Sequence, residues 1–184
     1  MDRTDTVLAA AHGAAVSLGD TANLPQPATE FFSDEVEEVL RSYGQRGVIH
    51  ELCKVSSPSG RSAFHFGWLH RQPYTMTCDG IRQKLAMTDL LPGVSRDSLL
   101  FKELKAFVKN RSQADVDAHR RVDPDKARGA VLLRAGAVTI ELTVLDADVA
   151  YGTNRLINLV HEVFLFLSEY WADYLYENFQ RDME

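Results

Sequence analysis

Residues 129–145 read Gly-Ala-Val-Leu-Leu-Arg-Ala-Gly-Ala-Val-Thr-Ile-Glu-Leu-Thr-Val-Leu. In the second half, Val138, Ile140, Leu142 and Val144 alternate with Thr139, Glu141 and Thr143. That period of two belongs to a strand with one buried and one polar face. Ala135-Gly136 interrupts the run, so Val131 to Arg134 and Ala137 to Leu145 read as an antiparallel hairpin. A helix from about Thr153 to Phe179 follows, the longest element expected. At about 100° per residue its apolar side chains, Leu156 through Leu175, cover about half the circumference. A helix lying on one sheet needs a stripe of roughly 100° or somewhat more, so the surplus requires other cover. An N-terminal helix around Val7 and Leu8 or another chain laid against the stripe would supply it. The edges of the stripe are Phe166 on one flank and Ile157 and Leu175 on the other. With Phe164 and Trp171 they form the candidate partner or dimer interface.

Upstream, Asp79-Gly80 reads as a tight two-residue hairpin turn. It would pair Cys78 with Ile81, Met76 with Gln83, Tyr74 with Leu85 and Gln72 with Met87, collecting apolar residues on one face. Val48 to Val55 and Ala63 to His70 flank Ser56 to Gly60, which is turn chemistry between two more strands. A helix capped by Ser33 carries Val36, Val39, Leu40 and Tyr43 inward and ends at Gly44. Another, from about Arg96 to Asn110 and capped by Ser95, presents Leu100, Phe101, Leu104, Phe107 and Val108. A polar loop then extends to Arg128. The order is helix, four strands, helix, two strands, long helix, which predicts an α+β fold with helices on one face of an antiparallel sheet. Residues 33–184 are expected as one domain, behind an N-terminal extension over residues 1–32. In that extension Met1 to Asp20 reads as a loosely attached helix and Thr21 to Thr29, with Pro25 and Pro27, as a linker.

Composition narrows the function classes. The chain has 184 residues, 45% of them hydrophobic, the size and make-up of one ordinary domain. A net charge of −6 and a pI near 5.5 argue against a nucleic-acid partner, which needs a basic footprint. The longest apolar run of the last helix, Val163 to Leu167, lies between Glu162 and Glu169, far short of the roughly 20 residues a membrane helix requires. Two cysteines, Cys53 and Cys78, are too few for a disulfide framework; both fall in strand segments, where buried thiols are common. A cytoplasmic, reducing location is the expectation.

Candidate chemistry is sparse. Asp115, Asp117 and His119 stand in a D-x-D-x-H spacing that an extended backbone would turn to one side, as metal ligands require. The mixed charges around them, from Arg120 to Arg128 beside Pro124, instead favour a solvated loop. His50 and His65 share a face of the first hairpin if Leu52 opposes His65, with Cys53 on the other face beside Phe64. His70 is expected to be structural or solvent-facing. His161-Glu162 begins like a zinc-protease helix, but Leu165 stands where the second histidine is needed. No phosphate loop, nucleophile elbow or Cys-x-x-Cys occurs. No cofactor and no catalytic residue is expected.

The element order over Ser33 to Phe179, and most of all Gly129 to Phe179 with its strand pair, the loop Asp146 to Gly152 and the aromatic closing helix, resembles the bacterial type III secretion chaperone-like fold. That group takes in a related family of sensory-transduction regulators. The resemblance implies a small acidic homodimer that binds extended segments of other proteins and has no catalytic site. The chain departs from the group by an extra strand, by the loop from Ser112 to Ala127 and by its N-terminal extension. The leading expectation is thus a non-enzymatic, chaperone-like or regulatory protein-binding module. A small-molecule binder or metal-dependent enzyme using the sheet histidines or the Asp115 to His119 loop is the alternative, and a structural subunit of a larger assembly is a third.

Overall fold

The computed structural model describes residues 26–57, 61–69 and 72–179. The helix expected around Val7 and Leu8, most of the Thr21 to Thr29 linker and His70 lie outside them. The described elements, in order, are α1 (Gln26–Gln45), β1 (His50–Ser57), β2 (Arg61–Trp68), β3 (Gln72–Asp79), β4 (Lys84–Pro92), α2 (Leu99–Asn110), β5 (Ala127–Arg134), β6 (Ala137–Val144), α3 (Val149–Tyr170) and α4 (Ala172–Phe179). The strands form one antiparallel sheet in the order β1-β2-β3-β4-β6-β5. This is the expected α+β architecture, with the expected helix-four strands-helix-two strands-long helix order.

The helix ends differ from the sequence reading for local reasons. Helix α1 begins at Gln26, with Pro27 in a first turn that has no use for its missing N–H. Ser33 is therefore inside the helix and caps nothing; its hydroxyl donates to Ser62 Oγ at 3.0 Å. Gly44 is also helical, and the left-handed residue is Gly47, at φ 70°. There Gly47 N–H bonds the Gly44 carbonyl and Val48 N–H the Tyr43 carbonyl, the paired bonds of a Schellman ending. The cap of α2 is Ser98, not Ser95, and its hydroxyl accepts from Phe101 N–H at 3.2 Å. Asp148 caps α3, accepting from Tyr151 N–H at 2.9 Å, so this helix begins before Thr153.

The turns show how far local chemistry fixes register. Ala135 and Gly136, at φ 48° and 79°, make the two-residue hairpin as expected, pairing Arg134 with Ala137. Asp79-Gly80 does not make one. Asp79 pairs with Lys84, and residues 80–83 form a longer loop in which Gln83 takes the left-handed conformation, φ 51°. Asp79 Oδ1 accepts from Arg82 N–H at 3.0 Å, holding the loop by a side-chain bond that the two-residue reading overlooked. Cys78 consequently faces Leu85 and Met76 faces Met87. Both registers turn these residues to the same face, because they differ by an even number of positions.

The helices cover one face of the sheet: α1 over β1 to β3, α3 over β4 and β6, α2 over β5. Phe64, Phe66, Trp68, Met76, Leu85, Met87, Ile140 and Leu142 enter the core from the strands, and Leu40, Leu104, Leu156 and Val163 from the helices. Gly152 lets α3 approach β6: a Cβ there would lie 2.5 Å from Val144 Cγ2. The single closing helix expected to Phe179 is two. The chain breaks at Trp171, φ −138° and ψ 41°, where the indole N–H donates to Glu103 Oε2 at 2.9 Å. Helix α4 then folds back, burying Leu175, with the Tyr174 hydroxyl donating to the Pro92 carbonyl at 2.7 Å. Burial pushes the Tyr174 phenol well above its usual range.

Candidate functional site

Among the described residues, the strand alternation that fills the core leaves the opposite face of the sheet without helices, and the registers decide what stands there. One row runs Val55, Ala63, Thr77, Ala86, Glu141 and Ala130 across all six strands. The next runs Ser57, Arg61, Asp79, Lys84, Thr143 and Arg128. The middle of the first row is small, so it forms a floor; the second row is charged and hydroxylic, so it forms a rim. Bulges add curvature: the β4–β6 ladder slips between Met87 and Leu91 around Asp89, φ 52°, and β1 slips after His50 around Glu51, φ 55°. A cleft of about 530 Å³ results, lined by Val55, Ala63, Thr77, Ala86 and Thr88 and by the charged residues beside them.

The charges are organised in two groups. Asp79 Oδ2 receives Arg61 Nε at 3.0 Å and Arg82 at 3.5 Å. Glu141 receives Lys84 Nζ at 2.6 Å and Arg134 at 4.0 Å. Each carboxylate therefore meets two cations, and the lining carries four cations against two carboxylates in a chain of net charge −6. The arginines and Lys84 are the exposed members and the acids the sheltered ones. Attraction among exposed charges is weak, so this surplus favours an anion without locking the rim.

Next to the cleft, Cys53 pairs with His65 and His65 with Thr75. The bulge at Glu51 puts Cys53 where Leu52 was expected; His65 Nδ1 lies 3.0 Å from Thr75 Oγ1. Cys53 is exposed, contrary to the expectation for a strand thiol, whereas Cys78 is buried and burial pushes its thiol up. His50 pairs with Gly67, a step along the strand from His65.

The metal candidates do not assemble. Asp115, Asp117 and His119 are exposed in a run of turns, not extended backbone: the Asp117 carbonyl accepts from both Arg120 and Arg121 N–H. Their side chains therefore do not alternate to one side. Among the described residues no group of three His, Cys, Asp or Glu side chains is placed to hold a metal ion. The loop has a structural anchor instead. Glu162, 8% exposed at its side chain, meets Arg111 at 3.1 Å and Arg120 at 3.5 Å, Val122 is buried, and Asp123 N–H donates to the Tyr151 hydroxyl. The neighbouring His161 is exposed.

Of the candidate interface residues, Ile157, Phe164 and Leu175 are buried within the chain, Ile157 on a helix that α1 packs against. Phe166 is half-buried, its ring 4.8 Å from that of Phe107 and 5.2 Å from that of Tyr170. Trp171 is held by Glu103. The intrachain cover thus comes from α1, α2 and α4. Sequence reasoning missed the cleft residues, although Arg61-x-Ala63, Thr77-x-Asp79 and Lys84-x-Ala86 carry the signal in their outward positions. A correct β3–β4 register would have aligned them.

Scans against protein-family models, curated proteins and solved structures find no significant match. No described helix is long and apolar enough to cross a membrane.

Proposed function

We propose that the chain is a non-enzymatic, chaperone-like or regulatory binding module, and that the face of its sheet opposite the described helices receives a segment of another protein. One observation carries this reading: the floor of Ala63, Thr77 and Ala86 lies between larger polar side chains as a cleft of about 530 Å³. A face that served only solubility has no need of such a recess. The residues around it support binding more than catalysis, since Asp79 and Glu141 are each engaged by two cations. Self-association has less to rest on, because Ile157, Phe164 and Leu175 are covered within the chain.

The test is a photo-crosslinking residue at Thr75, beside the cleft, with one at the exposed Lys105 of α2 as the control. In native cells the expected result is one defined adduct from position 75 and none from position 105. Absence of any adduct from position 75, or the same adducts from both, overturns the reading.

A further inference from the structure

The charges around the cleft say what kind of segment would fit, and this step rests on the binding reading above. We propose that the cleft takes an extended, acidic stretch of a partner protein, with two carboxylates about four residues apart, laid across the strands. The two cation groups are separated in space. Arg61 and Arg82 gather at Asp79, at the ends of β2 and β3, while Lys84 and Arg134 gather at Glu141 on β6. Asp79 on β3 and Glu141 on β6 are two inter-strand steps apart in the order β3-β4-β6 and two residues out of line along the strands, on the order of 12 Å at about 4.8 Å per step and about 3.4 Å per residue. That distance is about four residues of extended chain. A compact anion such as phosphate reaches one group only; an extended segment reaches both.

The contacts favour carboxylates. Arg61 meets Asp79 through Nε, and Arg134 reaches Glu141 at 4.0 Å, so neither pairing uses the full guanidinium fork. Both arginines are more than half exposed and reorient at little cost. Between the groups, Ala63, Thr77 and Ala86 leave room for main chain, and the Thr77 hydroxyl offers it a hydrogen bond. The surplus of positive charge sits in an otherwise acidic chain, so it also steers an acidic segment to this face and away from the rest.

The experiment uses the full chain and a fluorescein-labelled peptide, Glu-Ser-Gly-Ser-Glu, read by fluorescence anisotropy. Its counterparts carry Gln in place of both Glu, or Lys. Binding of the Glu peptide should exceed that of the Gln peptide by about tenfold and fall as salt rises to about 0.5 M. It should be lost in Arg61→Gln and in Arg134→Gln, and kept in Lys105→Gln. Ala86→Trp, which fills the floor without altering charge, should abolish it. Equal binding of the Glu and Gln peptides, or binding that survives both arginine changes, overturns the proposal. So does full displacement by millimolar inorganic phosphate, the mark of a compact anion site, or tighter binding of single-stranded oligothymidylate. If the peptide fails while the adduct at position 75 persists, the acidic-segment proposal falls and the binding reading stands. Loss of both removes both.

Discussion

On the helix side of β4 and β6 stand Leu85, Met87, Ile140 and Leu142, all fully buried; on the other side of the same strands stand Lys84, Ala86, Thr88 and Glu141. The first set is large and interlocked, and its purpose is to exclude water. The second is small in the middle and charged at its edge, which contributes little to folding and leaves a recess. Strand alternation alone makes two faces, but only the first has a use that folding explains. The face that the core does not need is the one whose side chains are free to serve function.

The two faces should respond differently to truncation. Ile140→Ala should destabilise by about 2–5 kcal/mol, through lost burial and a cavity, whereas Thr77→Ala should stay within about 0.5 kcal/mol. Urea denaturation of the two variants checks this, and similar midpoints would refute the division of labour. Gly152→Ala sharpens it from the helix side. The added methyl meets Val144 at 2.5 Å and Leu85 at 3.3 Å, so a cost of about 1–3 kcal/mol is expected at unchanged m-value.

Asp148→Ala should cost about 1 kcal/mol by uncapping α3. The Tyr151 N–H, and then Lys126, hold the Asp148 carboxyl below its ordinary value of 3.8. Its contribution is therefore present above that value and lost as pH falls through the depressed one. The gap between wild type and variant should shrink in acid, and a gap constant from pH ~7 to ~2 would exclude the cap. Smaller than the effect at the cap, the effects of Lys84→Gln and Glu141→Gln should each stay below about 1 kcal/mol, since Lys84 is the exposed member and the pair is only part-buried. A larger loss on thermal denaturation would make that pair part of the scaffold.

Most of the fold was legible because it follows from periodicity. The alternation over Val138 to Val144, the stripes of α1 and α2 and the Ala135-Gly136 turn all stand where the pattern puts them. What was illegible depends on contacts distant in sequence. Trp171 breaks the closing helix on meeting Glu103, and Ser33 looks like a cap until Ser62 appears beside it. The cleft was hidden for the same reason: Arg61, Asp79 and Lys84 come from three strands, aligned by the β2–β3 register and by the loop at residues 80–83. An Asp-Gly pair fits a two-residue turn so well that Asp79 was read as the turn and not as a strand end.

Binding of an acidic segment in the cleft is tested by methyl-resolved NMR of the full chain during titration with the Glu-Ser-Gly-Ser-Glu peptide. Ala63 and Ala86 report the cleft; Leu85, Ile140 and Leu142 report the core on the other side of the sheet. The expected result is concentration-dependent shifts of the two alanine methyls with the Leu and Ile methyls nearly unmoved. Shifts confined to the core methyls or to helix residues, with Ala63 and Ala86 unchanged, would contradict it.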